Sequence, residues 1–156
     1  MSTLVTDATG NNLTYIIIGA AMKVHNEIGP GYKEEIYERS LLSELTNLDF
    51  DAECQYPVSV EYGDQQVGIF YLDIFVENQV VVEIKAFSHQ LTNDERAQVI
   101  NYLKATGAPI GLLINFGRRK LEFRRVFPGK NQGPVQRVGR ENVFKSLASD
   151  FHDRSE

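Results

Sequence analysis

The stretch Tyr71-Leu72-Asp73-Ile74-Phe75-Val76-Glu77-Asn78-Gln79-Val80-Val81-Val82-Glu83-Ile84-Lys85 decides how this chain is read. Two apolar, β-branched runs flank a short polar turn at Glu77-Asn78-Gln79, and that pattern predicts a β-hairpin. Alternate residues of a strand share a face, so Glu83 and Lys85 point the same way. A hairpin centred on Asn78 sets Asp73 directly opposite Glu83. Opposed side chains have Cβ atoms about 4.5–5.5 Å apart, and like charges at that range repel. Two carboxylates and an ammonium inside apolar strands are costly unless something pairs them. A hard divalent cation, Mg²⁺ or Mn²⁺, held by both carboxylates would do so, because oxygen ligands suit such ions.

Upstream of the hairpin, Leu13, Ile16, Ile17, Ala20, Val24 and Ile28 recur at helical spacing, and Gly29-Pro30-Gly31 ends that helix. A second helix is expected from about Tyr32 to Thr46, with Tyr37, Leu41, Leu45 and Leu48 as its buried stripe. Glu34 opens that face; a first-turn acid is also stabilised by the helix N-terminus without any further role. Glu35 and Glu38 are assigned that simpler part. A strand through Ala52–Tyr62 turns at Gly63-Asp64, and the hairpin strands follow, about Gln66–Val76 and Gln79–Ala86.

Downstream, Thr92-Asn93-Asp94-Glu95 is a capping box that opens a third helix, closed by Gly107 and Pro109. Gln98 and Tyr102 share one face of it. Ile110–Phe116 reads as a strand buried on both faces, parallel to the Glu83–Lys85 strand through a right-handed crossover. Lys120–Phe127 alternates as one more strand, and Asn142–Phe151 as a last helix. The expected organisation is a frayed segment 1–12, one α/β domain over 13–127 with a mixed central sheet flanked by helices, and a C-terminal loop and short helix, 128–156, packed on it.

Composition narrows the function. With 156 residues, 42% hydrophobic and 24% charged, the chain suits one globular domain. No apolar run reaches the roughly 18 residues of a membrane span, and Met1–Asp7 lacks the basic start of a signal peptide. The single Cys54 excludes an intrachain disulfide and fits a reducing cytoplasm. His25, His89 and His152 have no zinc-ligand spacing. The net charge of −5 hides an uneven distribution: residues 118–140 hold eight basic residues against Glu122, a local +7 that leaves −12 elsewhere. Such a stripe, with Arg118, Arg119, Lys120, Arg124 and Arg125 at its start, is what contact with phosphates needs.

The hairpin resembles the PD-(D/E)xK nuclease superfamily, in which an acidic residue on one strand precedes a (D/E)-x-K triplet on the next. Here Leu72-Asp73 stands in the first place, without the proline, and Glu83-Ile84-Lys85 is the triplet. Gly29-Pro-Gly-Tyr-Lys-Glu34-Glu-Ile-Tyr37 resembles the Gly-x-x-Glu-x-x-Tyr signature of a small bacterial and archaeal branch of that superfamily. Gln98–Gly107 and Leu113-Ile-Asn-Phe-Gly117 are similar to its later segments.

The resemblance implies a restriction-endonuclease-like αβββαβ core and Mg²⁺- or Mn²⁺-dependent hydrolysis of phosphodiester bonds, DNA being the expected substrate. It implies Asp73, Glu83 and Glu34 as the metal set, Lys85 and Gln98 as further catalytic residues, Tyr102 in support and Tyr37 in the core. Nucleic acid is the expected partner, a homodimer is admitted, and no membrane is. Two other readings stand beside it: an inactive nuclease-fold module that binds nucleic acid or protein, and a structural protein in which Asp73 and Lys85 form a buried ion pair.

Overall fold

A computed structural model describes residues 11–129. Among them, α1 (Asn11–Ile28) and α2 (Glu34–Asn47) precede β1 (Ala52–Tyr62), β2 (Gln65–Val76) and β3 (Val80–Lys85); α3 (Asn93–Thr106), β4 (Ile110–Asn115) and β5 (Glu122–Val126) follow. The strands form one sheet in the order β1-β2-β3-β4-β5. Neighbours are antiparallel except β3 and β4, which run parallel across α3. This is the mixed, helix-flanked sheet of a restriction-endonuclease-like domain. The expected helix at Asn142–Phe151 and residues 1–10 of the expected frayed start lie outside the described residues, while Asn11 and Asn12, expected to be frayed, already form the first turn of α1.

Local chemistry sets the boundaries. Gly29 adopts φ 69° and its N–H caps the His25 carbonyl at 2.8 Å, ending α1. Thr92 and Glu95 form the reciprocal capping box of α3, and Gly107, at φ 71°, closes that helix. The β2–β3 turn places both Glu77 and Asn78 at positive φ and closes with Gln79 N–H donating to the Val76 carbonyl.

The sheet separates two cores. α1 and α2 pack with Ile74, Val76, Val80, Val82, Ile84, Leu112 and Ile114 on one face. α3 packs with Leu72, Phe75, Val81 and Leu113 on the other. Gly111 permits the α3 contact, since a Cβ there would lie 2.4 Å from Val99 Cγ1. Leu48 differs from expectation. It is 49% exposed as the C-cap of α2, and Phe50, 7% exposed, fills the core instead, because the helix ends before the next turn of its stripe.

Candidate active site

The site begins where β2 leaves β3. Their pairing runs Val76↔Val80, Phe75↔Val81, Ile74↔Val82, and stops. The next rung in that register would join Asp73 and Glu83. There the strands have parted, and the Ile84 N–H donates to Asp73 Oδ2 at 2.8 Å. The same point interrupts alternation within β2: Leu72 and Phe75 pack on the α3 side, Ile74 and Val76 on the other. Gln55, the in-register neighbour of Asp73 on β1, has φ 50°, and its strand changes faces at the same rung, Ala52 packing on the α1–α2 side and Tyr56 on the α3 side. A local kink shared by two strands thus aims Asp73 into the opening.

Glu83 and Lys85 share the α3 face. Glu83 is 5% exposed, and its Oε2 has no hydrogen-bond partner. Burial first, and then the neighbouring Asp73 carboxylate, close enough to share a proton with it, together push its carboxyl up to about 9 against the opposing pull of Lys85. Lys85 Nζ lies 4.0 Å from Glu83 Oε1 and donates to Gln98 Oε1 at 3.1 Å. Gln98 Nε2 in turn donates to the Tyr102 hydroxyl at 2.7 Å, and Tyr102 stacks on Phe70 with centroids 4.4 Å apart. Burial, with the charges of Glu83 and Asp73, raises the Tyr102 hydroxyl to about 12, so it stays protonated. The structure therefore joins Glu83, Lys85, Gln98 and Tyr102 in one line across β3 and α3.

α2 approaches the same opening from the other face. Glu34 is its first residue; partial burial raises its carboxyl, Lys85 lowers it, and Asp73 raises it. Tyr37 is wholly buried; its hydroxyl donates to the Gly29 carbonyl at 2.7 Å and accepts from the Tyr32 N–H at 3.1 Å. The Gly-x-x-Glu-x-x-Tyr segment is thus a clamp: the tyrosine fastens the loop that delivers the glutamate. Sequence reasoning gave Glu38, one turn along the same face, only the part of an acid stabilised by the helix N-terminus. Glu38 accepts from Gln55 Nε2 at 2.9 Å, and its carboxyl is raised by burial and by Asp73. Its (i, i+4) spacing from Glu34 was the available signal. Glu34, Glu38, Gln55 and Asp73 line one cavity of about 900 Å³.

Two further residues, given no site role in the sequence analysis, build the loop after Lys85. Asn115, fully buried, accepts from the Phe87 and Gly117 N–H groups and donates to the His89 carbonyl. Glu122 accepts from the Leu91 N–H and from Asn115. Gly117 cannot bear a side chain, since its Cβ would sit 2.4 Å from the Phe87 carbonyl oxygen.

The five basic residues do not act alike. Arg124 donates to the Leu91 carbonyl and sits 3.8 Å from Glu122, and Arg118 lies 3.6 Å from Glu122. Arg125 donates to Thr14 Oγ1 on α1. Arg119 and Lys120 are exposed and make no ion pair among the described residues. Both line a second cavity, about 1010 Å³, with Arg118, Ser88 and Gln90.

Among the described residues no three His, Cys, Asp or Glu side chains converge closely enough to form a metal cluster unaided. Asp73 and Glu83 meet, and Glu34 stands back from them. The donor set nevertheless fits a hard cation. Oxygen ligands predominate, a buried Glu83 oxygen lacks a partner, and burial together with the Asp73 charge holds the Glu83 and Glu34 carboxyls above their ordinary range.

A mixed sheet that parts around an Asp and a Glu-x-Lys strand defines a nuclease-type α/β domain. The model of the PD-(D/E)XK nuclease superfamily matches residues 11–126, and the chain belongs to that superfamily. The superfamily is generally one of nucleases, and divalent metals are typical of it. The crystal structure of SSO0001 is similar in fold, with a TM-score of 0.50 at 18% identity over 74% of this chain. The match spans 55% of SSO0001. No curated protein matches the chain.

Proposed function

We propose that this protein is a metal-dependent nuclease that hydrolyses phosphodiester bonds of DNA. The observation that carries this reading is the buried, unpartnered Glu83 oxygen beside Asp73, with Lys85 on the same strand face. Asp73 and Glu83 would hold Mg²⁺ or Mn²⁺, with Glu34 behind them. A cation there would draw charge from a phosphoryl oxygen and make bound water more acidic.

The remaining work belongs to the chain. Lys85 presents an ammonium to the charge that builds on the phosphoryl oxygens. Gln98 Oε1 holds that ammonium in place, and Tyr102, stacked on Phe70, holds Gln98. The Ile84 N–H fixes one Asp73 oxygen and so orients the other. Tyr37 fixes the loop that brings Glu34 to the opening.

Cleavage of labelled DNA is expected with Mn²⁺ or Mg²⁺, and its loss in Asp73→Asn and Glu83→Gln with the fold retained by circular dichroism. Robust cleavage in excess chelator, or by Asp73→Asn, overturns this function.

A further inference from the structure

The loop 86–91 stands between the two cavities. Ala86 and Phe87 line the carboxylate cavity; Ser88 and Gln90 line the basic one. A strand whose scissile phosphate lies at Asp73 and whose neighbouring phosphates meet Arg119 and Lys120 must cross this loop. On its crest Phe87 and His89 stack, with ring centroids 4.5 Å apart and planes within 17°. Lys85 Nζ lies 6.0 Å from the Phe87 centroid, so the stack begins at the reacting group and ends at the exposed His89. The loop is held rigidly. Asn115 bonds Phe87 and His89, while Glu122 and Arg124 bond the two sides of Leu91. Gly117 lies against its start.

Flat rings on a fixed ridge, flanked by unengaged cations, suit unpaired bases. Base–aromatic stacking tolerates any sequence, and the cations follow the backbone. A duplex keeps its bases stacked on one another and offers such a ridge nothing. We infer that the Phe87–His89 ridge is a stacking platform for an unpaired base beside the cut phosphate, so the substrate class is single-stranded DNA or a single-stranded end. This rests on the nuclease reading of the same site.

The test measures binding in chelator by fluorescence anisotropy, using a labelled 20-nucleotide single strand and the blunt duplex of the same sequence. Wild type is expected to favour the single strand. His89→Ala should weaken that binding about tenfold, leave duplex binding unchanged and keep the thermal melt; His89→Phe should restore it. His89→Ala binding the single strand like wild type, or wild type preferring the duplex, overturns the platform. Cleavage by wild type is followed in parallel. Metal-dependent cutting with an indifferent His89 overturns the platform and leaves the nuclease standing. Neither cutting nor binding of either DNA overturns both.

Discussion

The two halves of β3 make an instructive pair. Val80, Val81 and Val82 are fully buried and pair on both sides, with β2 and with β4. Glu83, Ile84 and Lys85 continue the same strand and the same pairing with β4, but β2 has left them. The first half is ordinary core. In the second, a backbone donor is turned over to the Asp73 carboxylate and a buried Glu83 oxygen is left unmatched. Burial is nearly the same; what differs is the neighbour. A strand made for the core becomes a candidate site when the adjacent strand kinks away and polar residues occupy the gap.

The contrast is broken most sharply by charge-removing isosteres. Glu83→Gln or Asp73→Asn should lower the rate of DNA cleavage by about a thousandfold or more, as loss of a group central to the chemistry does. Val82→Ala, one residue upstream of Glu83, should leave the rate of the folded protein unchanged. Equal losses of rate in the two halves, measured per folded molecule, would show that β3 is not divided in this way.

Stability should part the halves in the opposite sense. Burial, with the Asp73 carboxylate beside it, raises the Glu83 carboxyl from its ordinary 4.5 to about 9. Between those values the folded chain holds a proton that the unfolded chain has released. The contribution is therefore fully present below pH 4.5 and is lost as pH rises through about 9. In that window one proton of difference costs at most about 1.4 kcal/mol per pH unit. Glu34 and Glu38, both raised, act in the same direction. Denaturant titrations without metal should thus show stability falling from pH 6 to pH 9, and Glu83→Gln should flatten that fall. Metal binding must displace the Glu83 proton, so calorimetry in buffers of different ionisation heat should show proton release, with affinity weakening as pH drops. A cation-free wild type as stable at pH 9 as at pH 6 would remove the basis for a strained carboxyl.

Val82→Ala tests the core half alone. Deleting two buried methyl groups and leaving a void should cost about 2–3 kcal/mol at any pH, read as a shifted denaturant midpoint with an unchanged slope. A pH-dependent cost would mean that this half, too, feels the carboxyls.

Much of this contrast was legible in the sequence. Alternation in β3, the polar turn and the caps of α1 and α3 are local, and each appears as read. The register that aligns Asp73 with Glu83 followed from the turn. The parting of the strands did not, because it depends on Gln55 adopting φ 50° in a third strand, and nothing in Cys54-Gln55-Tyr56 marks that. Glu38 was missed for a related reason: its proximity to Asp73 arises only when α2 lies across the end of β2. Asn115 lay inside an expected buried strand and Glu122 was only the lone acid of the basic stripe, and only the pairing Asn115↔Glu122 shows that together they hold the loop after Lys85. Long-range partners of this kind leave no periodic trace.

The smallest expected effect concerns the basic residues, where an occupied set stands against an unoccupied one. Arg125 is spent on Thr14, and Arg124 on Leu91 and Glu122; Arg119 and Lys120 reach into the open cavity. A basic residue weakens DNA binding with salt only if it neutralises a phosphate and so releases counterions. Arg119→Ala and Lys120→Ala should therefore each flatten the salt dependence on a single strand by about 0.7 unit on logarithmic axes. Over a fourfold rise in salt that is about a threefold difference in affinity for each contact. Arg125→Ala should leave the slope alone and show itself instead as a modest loss of stability where α1 meets β5. Alternation alone favoured neither Arg124 nor Arg125, since they fall on opposite faces; the partners in the structure remove both from the first rank. Salt slopes that respond to Arg125 and ignore Arg119 and Lys120 would move the DNA path to the α1 face, away from the loop that follows Lys85.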